Sequence, residues 1–336
     1  MKSAYIQAIS YYLPQAILSN EEINANFPDW SVEKISSKTG IYERRIAGPN
    51  ETACDMAVSV SEKLFREHSI PKDEIDFLLL CTQSPDYFLP TTACIVQDQL
   101  GLSKNIGAID FNLGCSGYIY GLSLAKAMVE SSIAKNVLLI TSETYSKFIH
   151  PKDKGNRTIF GDAASASLIS DNGFAKIGNF IFGTDGSGWE QLIVRNGAAK
   201  NRQKQGVDLY DGDVFLKNDD NLFMNGNAIF NFTATVVPEL VQNTLIANAL
   251  ISDQIDTYIF HQANKYMLNY IRKKMEIPEE KFFLYLEKTG NTVSSTIPIA
   301  LHEFILNRIK LPSRVLLAGF GVGLSWGGTV LLFQDE

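Results

Sequence analysis

A cysteine, a histidine and an asparagine each close an apolar run in this chain. The segments read Ile106-Gly-Ala-Ile-Asp-Phe-Asn-Leu-Gly-Cys115-Ser-Gly, Thr257-Tyr-Ile-Phe-His261-Gln-Ala-Asn264 and Phe283-Leu-Tyr-Leu-Glu-Lys-Thr-Gly290-Asn291-Thr. Each reads as a strand running into a tight turn. A thiol is a soft nucleophile, and a neutral imidazole and a carboxamide are hydrogen-bond donors. Together they suit thioester chemistry, in which the cysteine holds an acyl group while histidine and asparagine stabilise an enolate.

Cys115 lies where a strand turns into a helix, with Gly114 and Gly117 permitting a sharp bend. A helix N-terminus directs unpaired amides and partial positive charge at the thiol, which lowers its pKa below about 8.5 and offers an oxyanion site. The alternative is a cysteine that packs as a small apolar residue, the reading given to Cys54, Cys81 and Cys94. His261 alone reads equally as a structural histidine. Asn264, three residues on, binds ligand amides or caps the following helix. Asn291 alone is turn chemistry. Asp162 reads as a structural turn residue, and Glu143 as a strand end near the site.

These residues are placed by elements that repeat. Ile75-Asp76 and Ile255-Asp256 lie 180 positions apart, each leading into an apolar strand. Gly114-Cys115-Ser opposes Gly290-Asn291-Thr at an offset of 176, and Asn136-Val-Leu-Leu-Ile140 opposes Arg314-Val-Leu-Leu-Ala318 at 178. The runs Phe77–Leu80, Val137–Ile140 and Val315–Ala318 read as strands buried on both faces, and Gly117–Glu130 and Ala228–Asn248 as helices. Strands alternating with helices imply α/β layers. The turn Ser170-Asp-Asn-Gly173 places the boundary between halves 1–175 and 176–336. A pseudo-dyad would bring Cys115 of one half against His261 and Asn291 of the other.

Bulk properties exclude several classes. The 336 residues carry a net charge of −7, opposite to a nucleic-acid footprint, with 45% hydrophobic and 20% charged residues. No apolar run approaches the ~18 residues of a membrane span, and the N-terminus reads as a first strand, not a signal peptide. Four cysteines without a CxxC pair and scattered histidines argue against a disulfide framework or a zinc site. The expected compartment is reducing cytoplasm.

The ordered set of Lys38-Thr39-Gly40-Ile41, Arg44-Arg45, Gly114-Cys115-Ser116-Gly117 and Phe160-Gly161-Asp162-Ala163-Ala164 continues through His261-Gln-Ala-Asn264, Gly290-Asn291-Thr292 and Gly319-Phe-Gly-Val322-Gly-Leu-Ser-Trp326-Gly327. In these segments the chain resembles the initiating 3-oxoacyl-acyl-carrier-protein synthases, the type III ketosynthases of the thiolase superfamily. The resemblance implies a duplicated, five-layered α-β-α-β-α thiolase-like fold. It implies an acyltransferase in which Cys115 takes an acyl group from acyl-CoA and a malonyl thioester on acyl carrier protein then condenses with loss of carbon dioxide. His261 and Asn291 would bind the malonyl thioester carbonyl, and the amides of Cys115 and residue 322 the second oxyanion. No metal or redox cofactor is implied, and a homodimer is.

The same resemblance assigns Trp30, Lys38 and Lys154 to the nucleotide end of CoA, with Lys where the family has Arg. A lysine keeps the charge and loses the planar fork. Val322 stands where Gly is common. Leu89, before Pro90, matches a position that reaches the partner subunit's acyl pocket. Lys265, Arg272, Lys273 and Lys274 offer an acidic carrier protein a basic helix face, or are a solvated face. A papain-like hydrolase fits the Cys–His–Asn order but not the local sequence. A thiolase-fold acyltransferase using an oxygen or nitrogen acceptor is the nearer rival. A non-catalytic relative would be expected to lack one of the three residues.

Overall fold

The short apolar runs form strands that the fold covers on both faces. Phe77–Cys81 and Val137–Glu143 are buried along nearly their whole length, as β-rich runs covered on both faces should be. The computed structural model describes residues 2–307 and 313–334. Its main sheet comprises β1 (Tyr5–Tyr12), β2 (Phe77–Cys81), β3 (Gly107–Phe111), β4 (Val137–Glu143), β5 (Ala163–Ser170), β6 (Ala175–Thr184), β7 (Thr257–Phe260), β8 (Arg314–Gly321) and β9 (Ser325–Phe333). Its spatial order is β7-β8-β9-β6-β1-β5-β4-β2-β3.

That order contains one pattern twice. In β3-β2-β4-β5-β1 the first three strands are parallel and the next two antiparallel, and β7-β8-β9-β6 repeats the series from β2 onward. An isolated parallel bridge from Tyr258 to Phe282 stands where β3 stands in the first series. The equivalence reaches single side chains. Asp76 accepts the amides of Lys135 and Asn136 at 2.8 Å, and Asp256 accepts the amide of Arg314 at 2.9 Å. Each aspartate thus tethers the start of the neighbouring parallel strand. The two series meet through two residue pairs, Tyr5 with Lys176 and Ile6 with Ala175.

Five layers follow from where the helices lie. Helices α1 (Ala53–His68) and α2 (Thr92–Gln99) cover the outer face of the first series, and α4 (Gly226–Ala247) and α5 (Lys265–Lys274) that of the second. Helix α3 (Gly117–Glu130) contacts β2, β4 and β5 on one side and β6, β8 and β9 on the other; α6 (Thr296–Leu306) lies beside it between the sheets. Three apolar clusters fill the resulting interfaces. An apolar surface nearly all round suits α3 and α6 to the middle layer. The expected Ala228–Asn248 helix begins two residues earlier and tolerates an internal proline, Pro238. Among the described residues no helix is long and apolar enough to cross a membrane.

Candidate active site

Cys115 sits in the turn between β3 and α3, 5% exposed. The turn is tight because the Gly117 amide donates to the Gly114 carbonyl at 2.7 Å. Its underside is filled by Cys81, whose thiol donates to the Leu113 carbonyl; a Cβ on Gly117 would fall 2.3 Å from that sulfur. Cys81 is therefore packing, as expected, and so is Cys54. Cys94 is exposed, and all four cysteines are free.

The sequence reading had the helix terminus lowering the Cys115 pKa. In this fold burial wins and pushes the thiol up to about 12, although the amides of Val322 and of Cys115 itself hydrogen-bond the sulfur and pull the other way. The Glu143 charge adds to the rise. These same two amides are the pair that the resemblance assigns to the oxyanion, and both lie against the Cys115 sulfur. Val322 is aimed by its neighbour: Ser325 donates to the Val322 carbonyl at 3.0 Å and meets the Ser116 hydroxyl at 2.6 Å.

His261 follows β7, and its amide donates to Ala318 of β8. Its ring is buried, which holds the imidazole neutral by depressing its pKa to about 3. Phe320 meets it edge-on at 5.7 Å, and Nδ1 lies 2.7 Å from Oγ1 of Thr296. Asn291 is held by its backbone: its amide donates to Ile159 at 2.9 Å and its carbonyl accepts from Gly161 at 3.0 Å. Its Oδ1 accepts the Val293 amide at 2.9 Å, which leaves Nδ2 free to face the site, 3.5 Å from Nε2 of His261.

Cys115, His261 and Asn291 line one cavity of about 120 Å³, together with Phe160, Leu192, Ile229, Met267 and Phe320. Asn264 lines it too and also caps α5, accepting the Met267 amide at 2.9 Å. The helix-cap reading of Asn264 is the one seen in its hydrogen bonds. Asp162 braces the fold through the amides of Ala47 and Ser146. Glu143 accepts from the Gln83 amide and from the Ser84 and Ser294 hydroxyls, and does not line the cavity. Burial raises its pKa to about 8.

Trp30 precedes the helix Val32–Thr39, and its ring is faced by Lys34 at 5.6 Å, Lys154 at 5.7 Å and Lys38 at 5.9 Å. Lys34 was missed by the sequence reading. The basic run on α5 is less free than it reads. Arg272 donates to the Ile277 carbonyl and pairs with Glu279, and Lys274 donates to Ala234. Lys265, Lys273 and Lys274 are exposed. Leu89 is 83% exposed and does not touch the cavity of its own chain. Among the described residues no cluster of histidine, cysteine, aspartate and glutamate is arranged for a metal ion.

Two family models match the chain, 3-oxoacyl-[acyl-carrier-protein] synthase III over residues 109–186 and its C-terminal region over 245–333. The beta-ketoacyl-[acyl-carrier-protein] synthase III of Caldanaerobacter subterraneus is 34% identical over 98% of this chain and 97% of its own. The chain belongs to the 3-oxoacyl-[acyl-carrier-protein] synthase III family. A solved 3-oxoacyl-(acyl-carrier-protein) synthase III is 46% identical with a TM-score of 0.95, covering 98% of this chain and 100% of that one. A priming β-ketosynthase of the R1128 polyketide pathway is 27% identical with a TM-score of 0.86, covering 99% and 97%. The thiolase-like fold of this synthase III chain is thus established alongside its family. Ser116, Val293, Thr296 and Ser325 are the site residues that sequence reasoning passed over, since isolated hydroxyl and valine positions carry no pattern of their own.

Proposed function

We propose that this synthase III runs a two-step exchange on Cys115. The sulfur attacks an acyl-CoA thioester, the new S–acyl bond forms as the bond between the acyl carbon and the CoA sulfur breaks, and CoA leaves as the thiol, carrying the proton of Cys115. A malonyl thioester on acyl carrier protein then enters. Its carboxylate leaves as carbon dioxide, and the electron pair of the broken C–C bond becomes an enolate whose oxygen rests on Asn291 and His261. The enolate carbon attacks the acyl-Cys115 carbonyl, the oxyanion rests on the amides of Cys115 and Val322, and the thiolate departs to give a 3-oxoacyl product. The decarboxylation drives the sequence without a metal or redox cofactor.

The observation that carries this reading is the convergence of the three side chains on one small cavity. At about 120 Å³ it is far below the ~300–1,000 Å³ of pockets for drug-sized ligands, which favours a short acyl group. The cations around Trp30 suit the phosphates and adenine of CoA. Lys265, Lys273 and Lys274 are the exposed charges for an acidic carrier protein, and Arg272 is held beside them by Ile277 and Glu279. The uncovered edge strand β3, with Ile109 42% exposed, and the exposed Tyr87-Phe88-Leu89 loop favour a homodimer in which Leu89 reaches the neighbouring site. Four free cysteines accord with cytoplasm.

Intact-protein mass spectrometry with a panel of acyl-CoAs, followed by malonyl-acyl carrier protein, tests the scheme. An adduct on Cys115 that is discharged as a 3-oxoacyl product supports it. Discharge only by an alcohol or amine would replace condensation with transfer to oxygen or nitrogen.

A further inference from the structure

The donor role proposed for His261 requires a proton on Nε2, the nitrogen that faces Asn291. A neutral imidazole carries one ring proton, so what the other nitrogen meets decides where it sits. Nδ1 meets Oγ1 of Thr296, the first residue of α6, at 2.7 Å. The same hydroxyl lies 3.1 Å from the Val293 carbonyl. A hydroxyl has one proton to give. Hydroxyl hydrogen bonds cluster at about 2.5–3.0 Å, so Nδ1 at 2.7 Å is the closer partner and the Val293 carbonyl at 3.1 Å is the longer, competing acceptor.

From this geometry we infer that Thr296 is a positioning residue: its hydroxyl donates to Nδ1 of His261 and fixes the tautomer with the proton on Nε2. Asn291 is fixed in the matching sense, because the Val293 amide occupies Oδ1 and turns Nδ2 toward the cavity. The two donors then stand 3.5 Å apart. An oxygen about 2.9 Å from each nitrogen completes two hydrogen bonds, the arrangement that an enolate oxygen needs. The opposite tautomer would turn Nε2 into an acceptor, with Nδ1 donating to Thr296 or to the Val293 carbonyl beside it. At 3.5 Å the resulting Asn291–His261 contact would be a poor hydrogen bond, and the site would keep one donor. The inference rests on the proposed enolate role of His261 only in its functional half.

The placement is tested by ¹⁵N–¹H correlation spectra of the full-length enzyme with ¹⁵N-labelled histidine, the His261 signals being assigned by their loss in His261→Gln. The expected wild-type pattern is a protonated Nε2 and an unprotonated Nδ1. Thr296→Val should shift the ring toward the Nδ1-protonated pattern, and Thr296→Ser should restore Nε2. A wild-type ring protonated on Nδ1 overturns the inference, and so does a Thr296→Val spectrum identical to wild type. The kinetic counterpart is a 10- to 100-fold loss of malonyl decarboxylation in Thr296→Val, with acylation of Cys115 near wild type and recovery in Thr296→Ser. A tautomer shift without loss of decarboxylation would leave Thr296 in place and overturn the donor role of His261 instead.

Discussion

A methyl group on Gly321 would lie 2.9 Å from Sγ of Cys115 and 2.8 Å from its Cβ. The glycine-rich end of β8 is therefore pressed against Cys115, and the following Val322 amide reaches the sulfur because nothing stands between. Gly321→Ala should cost about 1–3 kcal/mol by overpacking and slow acyl-adduct formation on Cys115 by ~100-fold. Time-resolved intact mass after mixing with acyl-CoA checks this; an adduct forming at the wild-type rate would refute the close approach.

The three cavity side chains should separate by half-reaction. Cys115→Ala is expected to give no acyl adduct with any donor. His261→Ala and Asn291→Ala should still be acylated but lose ~10²–10³-fold in condensation, the scale of a missing oxyanion donor. Single-turnover acylation and steady-state condensation, measured on the same preparations, decide it. If acylation fell as far as in the cysteine variant, the assignment of separate roles would be wrong.

His261 should be silent around neutrality. With its pKa depressed from 6.5 to about 3, the ring is neutral in the folded protein throughout the physiological range. The condensation profile should show no His261 inflection near 6.5. For stability the sign follows from the depressed value: the contribution is fully present above pH 6.5 and is lost as pH falls toward 3, because the unfolded chain takes up the proton first. Melting temperatures of wild type and His261→Gln between pH 4 and 7 should converge as the pH drops.

Trp30→Ala, or Lys38→Ala with Lys154→Ala, should raise KM for acyl-CoA about 5-fold or more while leaving kcat nearly unchanged, on the scale of an exposed cation–aromatic contact. An acyl thioester of N-acetylcysteamine, which lacks the nucleotide, should show no such change. Rising salt should weaken only the CoA substrate. Equal effects on both donors would place the CoA nucleotide elsewhere.

Arg44 is fully buried among neutral acceptors, donating to the Thr158 carbonyl and to Asn20, and burial lowers its pKa to about 9. Thr158 adjoins Ile159, which holds the Asn291 amide. Arg44→Ala should leave both acceptors unpaired over a cavity and cost about 3 kcal/mol or more. Urea unfolding measures it, and a shift under 1 kcal/mol would remove Arg44 from the framework of the site.

What could be read in advance was what burial writes into the chain. Strands covered on both faces carry continuous apolar runs, so Phe77–Leu80, Val137–Ile140 and Val315–Ala318 announce themselves, and their repetition pairs Cys115 with Asn291 across the two series. The α3 helix was read over Gly117–Glu130, where it lies. What could not be read was burial acting on a charge: the raised thiol of Cys115 depends on neighbours hundreds of positions away. Nor did Arg272 and Lys274 reveal that carbonyls at Ile277 and Ala234 occupy them. Thr296 and Ser325 are ordinary hydroxyls until a fold sets them against His261 and Val322. Lys34, one turn before Lys38 on the same helix, was legible from helical spacing and was passed over.

The joint between the two strand series has a consequence for how this enzyme comes into being. Strand pairing across it is short, Tyr5 with Lys176 and Ile6 with Ala175 flanked by a bond from the Ile177 amide to the Ala4 carbonyl, so the middle layer of α3 and α6 does most of the mating. The helix that begins just after Cys115 is itself the spacer against which the later strands close. Either series alone holds only part of the reacting set, and such distant contacts form slowly because loop closure precedes their reward. During refolding, helical signal should therefore return ahead of thiol reactivity toward acyl-CoA, with catalytic competence the final property the chain acquires.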